Sequence, residues 1–532
     1  METKLHILLI FLLLPVLLHA QENPNINRTL NWRFGGSIGI NFDLQTQEVN
    51  FLPLSYWFGT PESASTISDE EGNLLFYTDG ELVFNSEDTV MPDINFVDDD
   101  THLDGNYSAY QGVVILPQAG NDSIYYIFTC DAWENLIGGF TYQGLKYSIV
   151  NMNHVNALGA GEVVEKNIPL LDSVGESVVA TEHATKEDWY WVVASSTRGM
   201  FYSWLLNEDG LSAPVDSFQS TNVMCPNQIT GTQNLQFLKF SPKGDLIFKG
   251  YCCETPQDYA AHSIIGFNNL TGEFEFPETP KNRNGEPEII LASYQDTTVE
   301  LWSRATFSPG GNYLYTIKQM SLHPQWSPSV IERYKIDYPI DATDIIQSKE
   351  AFYMSNVFTI KMFQNTPFGN IMVSSSADTE MATSHGYKIH LIQNPNSSDL
   401  AYFDENVYNL MDIYEVDTEE NAPRVWMSFN NTVESWLYND DDITENQQIT
   451  KRENQNNLFY PNPSDGKMYL TKSFKQDVIL KIYDLTGNLI FSKKVTSYDA
   501  PMVNLNKLSS GIYLIEITDN ENFNEYDKLI IN

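Results

Sequence analysis

Two short stretches of the chain share one pattern of apolar and polar positions. Ala305-Thr-Phe-Ser-Pro-Gly-Gly-Asn-Tyr-Leu-Tyr315 is an apolar run, a tight turn and a second apolar run, and Leu238-Lys-Phe-Ser-Pro-Lys-Gly-Asp-Leu-Ile-Phe248 repeats it. Ser-Pro opens a turn, Gly supplies a positive φ at its end, and the flanking Phe, Leu and Tyr favour strands. The pattern predicts a recurring β-hairpin in which Phe240 and Phe307 occupy equivalent buried positions.

Similar hairpins are predicted at other places along the chain. They cover 65–80, 113–128, 181–193 and 360–373, while 424–429 is a weaker candidate that lacks a clear preceding strand. No segment sustains a helical period over three turns. We interpret 21–438 as an all-β domain, a β-propeller of about seven blades with six as the close alternative. The first strand, expected over 31–43, is a candidate to pair into the last blade and close the ring.

The N-terminal residues have the pattern of a secretory signal peptide. Lys4 and His6 precede an apolar run that ends near a cleavage site between Ala20 and Gln21. The run is short for a transmembrane helix, and no later stretch is long and apolar enough to span a bilayer. We expect residues 1–20 to be removed.

The charge balance argues against two classes of partner. Seventy acidic residues against 30 basic ones give a formal net charge of −40. A surface this acidic repels nucleic acid and anionic membranes. It fits a soluble extracellular surface, with specific cation binding as the alternative.

Three acidic residues are candidate ligands for calcium, namely Asp98, Asp100 and Asp104. Carboxylate oxygens suit that ion, although the spacing does not fit an EF-hand loop. A solvated acidic loop is the alternative interpretation. No other cofactor is predicted.

The four cysteines, Cys130, Cys225, Cys252 and Cys253, are too few for a disulfide framework in so long a chain. Cys225 lies just before one strand of the 238–248 hairpin, and Cys252 and Cys253 follow its partner strand. A bridge from Cys225 to one of the two is therefore a candidate. A ring between Cys252 and Cys253, or free thiols, are the alternatives.

Catalytic signatures are absent from the sequence, which contains no nucleophile elbow, phosphate loop or zincin motif. His183 beside Glu182 is a candidate general base, but a hydrogen-bonded strand residue is the plainer interpretation. Trp189, Trp191 and Trp302 could stack on sugars, although their strand spacing is more typical of core residues. No carboxylate pair stands out as that of a glycosidase.

The composition changes near residue 456. Residues 439–456 form a polar linker, and 457–532 contain eight Lys against nine acidic residues, so the acidity belongs almost wholly to the preceding domain. Short strands are predicted at Lys467–Leu470, Val478–Tyr483, Leu489–Val495 and Ile512–Thr518, with turns at 485–488 and 509–511. This spacing is typical of a small β-sandwich.

The tail also carries an ordered set of motifs. Tyr460-Pro-Asn-Pro-Ser-Asp-Gly466, Ile482-Tyr-Asp-Leu-Thr-Gly487, Leu508-Ser-Ser-Gly-Ile-Tyr-Leu514 and Lys528-Leu-Ile-Ile531 resemble the type A C-terminal sorting domain of type IX (Por) secretion in Bacteroidetes-type bacteria. The resemblance implies passage through the periplasm and across the outer membrane by the type IX machinery, removal of the tail, and surface anchoring or release. The matching positions are Tyr460, Pro461, Asn462, Pro463, Gly466, Asp484, Gly487, Gly511, Tyr513 and Lys528.

A second resemblance concerns the N-terminal part. Residues 31–35 and 66–80 are similar to the propeller region of large surface proteins from the same bacteria. Two functions follow as hypotheses. One is a secreted or surface protein that binds an extracellular protein or glycan through loops on one propeller face. The other is a secreted hydrolase acting on glycan or peptide.

Overall fold

The structure is a computed structural model with two compact units, residues 1–440 and 441–532. The residues that it describes are 24–54, 58–60, 62–92, 102–132, 135, 140–156, 159–220, 234–253, 260–276, 287–294, 304–319, 329–355, 358–377, 388–416, 423, 425, 429–438, 459–460, 467–470, 478–483, 489–495, 502–505, 508, 511–518 and 524–531. Within this part of the chain, every helix is too short or too polar to cross a membrane.

The described part of the first unit begins with a 3-10 helix, Pro24–Thr29, and then forms three antiparallel sheets. Sheet 1 contains β1 (Asn31–Gly36), β2 (Ile38–Asp43), β3 (Glu48–Pro53) and β4 (Gly59–Thr60). Sheet 2 contains β5 (Ser65–Ser68), β6 (Leu74–Thr78) and β7 (Val83–Asn85). Sheet 3 contains β8 (Val113–Gln118), β9 (Asn121–Cys130), β10 (Leu145–Asn156) and β11 (Gly159–Leu171).

Four further antiparallel sheets follow in the described part of this unit. Sheet 4 contains β12 (Val178–Glu182), β13 (Tyr190–Ser195), β14 (Met200–Asn207), β15 (Gly210–Leu211) and β16 (Asp216–Gln219). Sheet 5 contains β17 (Asn234–Phe240), β18 (Leu246–Cys253), β19 (Ala260–Gly266) and β20 (Glu288–Tyr294). Sheet 6 contains β21 (Ala305–Phe307), β22 (Tyr313–Gln319), β23 (Ser329–Lys335) and β24 (Glu350–Ser355), with α1 (Ala342–Gln347) before β24. Sheet 7 contains β25 (Phe358–Asn365), β26 (Ile371–Ala377), β27 (Lys388–Gln393) and β28 (Tyr402–Asn409), followed by α2 (Leu410–Ile413).

The two Ser-Pro hairpins are confirmed as the first two strands of sheets 5 and 6. Gly244 and Gly311 close their turns with φ values of 72° and 71°, a conformation that glycine adopts at little cost. Their amides donate to the carbonyls of Ser241 and Ser308 at 2.9 and 2.8 Å. Sequence pattern and backbone chemistry agree at both turns.

The expected single strand over 31–43 is wrong. Ser37 has a φ of 64° and turns the chain, so β1 and β2 pair with each other in an antiparallel hairpin. In the described residues β1 also pairs with β4, and no pairing joins it to sheet 7. Of the weaker candidate at 424–429, only Val425 and Phe429 are described, and Val425 forms an isolated bridge.

Consecutive sheets meet through their first strands. Contacts join β1 to β5, β5 to β8, β8 to β12, β12 to β17, β17 to β21 and β21 to β25. We call β5, β8, β12, β17, β21 and β25 the inner strands. Sheet 7 contacts sheet 1 through ring pairs such as Phe51 in β3 with Tyr408 in β28, whose centroids are 5.1 Å apart. Phe240 and Phe307 are both buried, at 1% and 0% exposure, as the sequence predicts.

The second unit contains two antiparallel sheets in its described residues. One consists of β29 (Phe459–Tyr460), β30 (Lys467–Leu470) and β33 (Met502–Asn504). The other consists of β31 (Val478–Tyr483), β32 (Leu489–Val495), β34 (Gly511–Thr518) and β35 (Asn524–Ile531). All four predicted strands are confirmed. The predicted turn at 509–511 is wrong in one respect, because Gly511 already belongs to β34 and pairs with Ile531.

Candidate functional site

Buried polar side chains gather where the inner strands begin. Glu62, Gln111, Glu176 and Arg304 are each at most 6% exposed, and they precede β5, β8, β12 and β21. The backbone N–H of Gln111 donates to the carbonyl of Glu62 at 3.2 Å, and that of Val178 donates to the carbonyl of Gln111 at 3.4 Å. We call Glu62, Tyr110, Gln111, Glu176 and Arg304 the axial polar group.

Two members of this group have a strained backbone. Gln111 and Glu176 have φ values of 50° and 66°, and each lies two residues before an inner strand. A left-handed conformation costs a residue with a Cβ roughly 1 kcal/mol or more. The same left-handed conformation occurs at equivalent positions of sheets 3 and 4. It is therefore a repeated feature of the residues that precede the inner strands.

The side-chain amide of Gln111 is the most unusual feature of the group. Neither its nitrogen nor its oxygen has a hydrogen-bond partner in the described protein, although the residue is only 1% exposed. Burial of an amide without a partner costs roughly 1–3 kcal/mol. A water molecule or a polar ligand at this position would remove the cost.

Arg304 supplies a positive charge to the same region. Burial lowers the pKa of its guanidinium to about 9, and the negative charge of Glu62 opposes this shift. The guanidinium carbon lies 4.5 Å from the centre of the Tyr110 ring, a cation–π geometry. Glu62 accepts a hydrogen bond from the Ser108 hydroxyl at 3.3 Å. Donors, acceptors and an aromatic face therefore lie together.

Three more carboxyl groups lie after the second strands of sheets 2 and 3. Burial raises the pKa of Asp79, Glu81 and Asp131, and the charge of Asp79 raises that of Glu81 further. Asp131 is held by the backbone N–H groups of Ala132 and Gln143 and by the Asn135 amide. These carboxyl groups have backbone partners, which makes them structural elements of the two turns.

Of the calcium candidates, only Asp104 belongs to the described residues. Its carboxylate pairs with the Lys146 ammonium at 2.5 Å, and its backbone N–H donates to Asn167. Asp98 and Asp100 lie outside the described residues. No group of three or more His, Cys, Asp or Glu residues is arranged to hold a metal ion among the residues whose positions are described.

His183 occupies a hydrogen-bonded position in the core rather than a pocket. Its Nε2 lies 2.9 Å from the carbonyl oxygen of Leu270, and its Nδ1 lies 2.9 Å from the Thr185 hydroxyl. Trp191 is 2% exposed and donates to the carbonyl of Asn269 at 2.8 Å, as expected for a core residue. Trp189 is half-buried, and Trp302 lies outside the described residues.

The cysteine and cleavage predictions fall largely on residues outside the described part. Ala20, Gln21 and Cys225 are not described. Cys252 and Cys253 end β18, in register with Leu235 and Asn234 of β17. Cys130 is a free, buried thiol, and burial raises its pKa well above the usual value.

Four residues of the predicted sorting motifs lie in strands of the second unit. Tyr460 ends β29, Gly511 and Tyr513 belong to β34, and Lys528 belongs to β35 and pairs with Leu514. Pro461, Asn462, Pro463, Gly466, Asp484 and Gly487 lie outside the described residues.

Sequence reasoning missed every member of the axial polar group. A weak signal exists, because Tyr110-Gln-Gly112 and Gly175-Glu-Ser177 each place a polar residue beside a small one just before an apolar strand. Such triplets are common in loops. That these residues lie close together is visible only in the structure, where several sheets bring them to one end of the inner strands.

Residues 458–532 match the family model of the secretion system C-terminal sorting domain. A curated relative, the endo-acting ulvan lyase of Formosa agariphila, is 31% identical over 72 residues, which are 14% of this chain and 14% of that protein. The chain thus matches about a seventh of the length of that relative.

Solved structures show a remote likeness. Puromycin hydrolase has a TM-score of 0.34 and 11% identity, with 78% of this chain and 51% of that one covered. The Nup133 β-propeller domain of Vanderwaltozyma polyspora has a TM-score of 0.28 and 9% identity, with 59% and 91% covered. TM-scores this low say nothing about fold or function. The description of the fold therefore rests on the observed strand pairing.

Proposed function

Since residues 458–532 are a type IX secretion C-terminal sorting domain, we propose that residues 21–438 are its exported cargo and act as a binding module. The sorting domain directs export to the cell surface or the medium through the secretion machinery. Cargo that reaches this location meets extracellular proteins and glycans.

The proposed architecture of the cargo is a seven-bladed β-propeller. Seven consecutive antiparallel sheets in the described residues, each joined to the next through its first strand, support it. The contact of sheet 7 with sheet 1 supports a closed ring. A small β-sandwich is the corresponding proposal for the tail, whose two sheets supply buried residues such as Leu480 and Val503.

The proposed ligand site is the axial polar group. The observation that carries it is the buried Gln111 amide without a described partner. An amide offers a donor and an acceptor, as does the hydroxyl group of a sugar, and the neighbouring Arg304, Glu62 and Tyr110 supply a donor, an acceptor and an aromatic face. A hydroxyl-rich ligand, a glycan, fits this combination.

A glycan array probed with the protein without residues 1–20 tests this proposal. A glycan that binds should bind Gln111→Ala about tenfold more weakly, because hydrogen bonds to a buried amide are lost. Gln45→Ala, at an exposed position, is the matched control and should bind as the parent does. If the parent, Gln111→Ala and Gln45→Ala bind the glycan with equal affinity, the axial polar group is not the binding site.

The alternative function, a secreted hydrolase, is favoured by one observation. Glu62 and Glu176 are two buried carboxyl groups at the same end of the inner strands, and glycosidases act through such pairs. Release of reducing ends from a bound glycan would support it. Glu62→Gln and Glu176→Gln should then lower kcat while the glycan still binds.

Export is tested with two engineered proteins in a host that has the type IX machinery. The chain without 457–532 should accumulate as folded protein in the periplasm. A reporter with a signal peptide and residues 457–532 should reach the surface or the medium. Fractionation that finds the truncated chain outside, or the reporter inside, would make the tail a structural domain.

A further inference from the structure

A segment after sheet 7 lies in the interior of the first unit. Every residue from Phe429 to Leu437 is buried, and none is more than 6% exposed. The segment ends in a one-turn 3-10 helix, Glu434–Leu437. We call residues 429–437 the strap. A loop that contains two Asn, a Thr, a Glu and a Ser is buried only where its polar groups find partners.

Asn431 connects the strap to three sheets. Its backbone N–H donates to the carbonyl of Ala64 at 2.7 Å, just before β5. Its side-chain amide donates to the carbonyls of Val113 in β8 at 2.8 Å and Val178 in β12 at 3.2 Å. One side chain therefore binds the first residues of adjacent inner strands.

Glu434 connects the strap to two further sheets. Its carboxylate lies 2.6 Å from the ammonium of Lys239 in β17. It accepts hydrogen bonds from the amides of Gln364 at 2.8 Å and Asn365 at 2.6 Å, both in β25. These partners meet the requirement of a buried carboxylate for compensating charge and donors.

Aromatic contacts fix both ends of the strap. The ring of Phe429 lies 5.3 Å from that of Phe34 in sheet 1, and Trp436 lies 5.8 Å from Tyr190 in sheet 4. The Ser435 hydroxyl accepts from the backbone N–H of Glu182 at 3.0 Å. The strap thus contacts sheets 1, 2, 3, 4, 5 and 7.

The described strands of sheets 1 and 7 are not shared between the two sheets, and Val425, between sheet 7 and the strap, forms an isolated bridge. Sheets 1 and 7 are each built from consecutive strands and exchange none. They meet through side chains, and the chain after sheet 7 adds a contact, since the Tyr414 hydroxyl just after α2 donates to the carbonyl of Leu52 in β3 at 3.0 Å.

We propose that the strap is a built-in peptide ligand that holds the inner strands of sheets 2, 3, 4, 5 and 7 together, and that it lies beside the axial polar group, where its Asn431 amide donates to the Gln111 carbonyl at 3.3 Å. Recognition depends on an amide at 431, a carboxylate at 434 and aromatic rings at both ends. The sheets bind the strap tightly enough to retain it when the peptide link between the strap and sheet 7 is cut.

The full-length chain with a protease recognition sequence inserted after Glu420 tests this proposal. After cleavage, the fragment that begins at 421 should co-elute with the N-terminal fragment in size-exclusion chromatography. In the control, the same sequence is inserted after Gln447, and cleavage should release the tail. Separation of the two fragments after cleavage at 420 would overturn the proposal.

Two variants show whether the strap is what holds the fragments together. Asn431→Ala in the chain cut at 420 should release the fragment, since the carbonyls of Val113 and Val178 in the inner strands and of Gln111 before β8 lose a donor. If that variant does not fold, Ser435→Ala removes one hydrogen bond, and the fragment should dissociate about fivefold faster than from the parent. Dissociation at the parent rate would overturn the proposal as well.

Discussion

The ammonium nitrogen of Lys239 lies 2.6 Å from a carboxylate oxygen of Glu434, although 195 residues separate the two and both side chains are at most 2% exposed. Loss of one partner leaves the other as a buried, uncompensated charge. Glu434→Ala should therefore lower the free energy of unfolding by roughly 3–5 kcal/mol, measured by urea denaturation.

The matched control for this pair is Asp337, which pairs with Lys335 at 2.8 Å on the surface. Solvent screens that pair, so Asp337→Ala should leave the urea midpoint nearly unchanged. Equal effects of the two substitutions would mean that Lys239 and Glu434 are solvated in solution.

Phe307 tests the repeat of Ser-Pro hairpins. The side chain is fully buried, so Phe307→Ala should cost roughly 3–5 kcal/mol of unfolding free energy through lost burial and a cavity. Phe140, which is 70% exposed, provides the control, and Phe140→Ala should change stability little. A melting temperature equal to that of the parent for Phe307→Ala would contradict the assigned core.

His390 makes stability depend on pH. Its Nδ1 accepts from the backbone N–H of Asn406 at 3.0 Å, and its Nε2 therefore donates to the Ser375 hydroxyl at 2.8 Å, an arrangement of the neutral ring. Burial lowers its pKa to about 4. The unfolded chain binds a proton below about 6.5, whereas the folded chain does so only below about 4, so stability falls as pH falls through this window.

The measurement for His390 compares urea denaturation at pH 7 and pH 5. The parent protein should lose about 2 kcal/mol more than His390→Gln between these values, because only the parent carries the titrating group. The difference between the two proteins isolates this residue from the many carboxylates. Parallel pH dependence in both would contradict the assignment.

The cysteines differ in their expected reactivity. Cys130 is buried with a raised pKa, so a thiol reagent should label it only after unfolding.

The other three cysteines test the predicted disulfide. The register of β17 and β18 places Cys252 and Cys253 opposite Leu235 and Asn234, at the start of β17. Peptide mapping without reduction should find the Cys225 peptide linked to the peptide that contains Cys252 and Cys253. A Cys225 peptide that runs alone would reject the bridge.

Local chemistry made much of the fold predictable. Gly244 and Gly311 take the positive φ that their turns require, and the tail strand Val478–Tyr483 was predicted with its observed bounds. Propensity, turn residues and alternation all agree there. The same reasoning failed at Ser37, which adopts a φ of 64° although its Cβ disfavours that conformation.

The candidate site and the strap depend on contacts that no local pattern contains. In the sequence, Gln111 cannot be distinguished from an ordinary polar loop residue. It becomes a candidate ligand-binding residue only because the neighbouring sheets bury it. Asn431 and Glu434 lie in a stretch that reads as a polar connection, and their partners are inner strands far away in sequence. Distant pairing of this kind is invisible in composition and periodicity.

The strap also orders events during synthesis. Each sheet is made of neighbouring residues and can form as soon as its own strands leave the ribosome, but the Ser65 hydroxyl finds the carbonyl of Asn431 only after 366 further residues. The domain therefore stays an open arc of sheets until translation is nearly complete. The strap precedes the sorting domain at 458–532 in the chain, so every chain long enough to carry the export signal already contains the segment that joins the sheets.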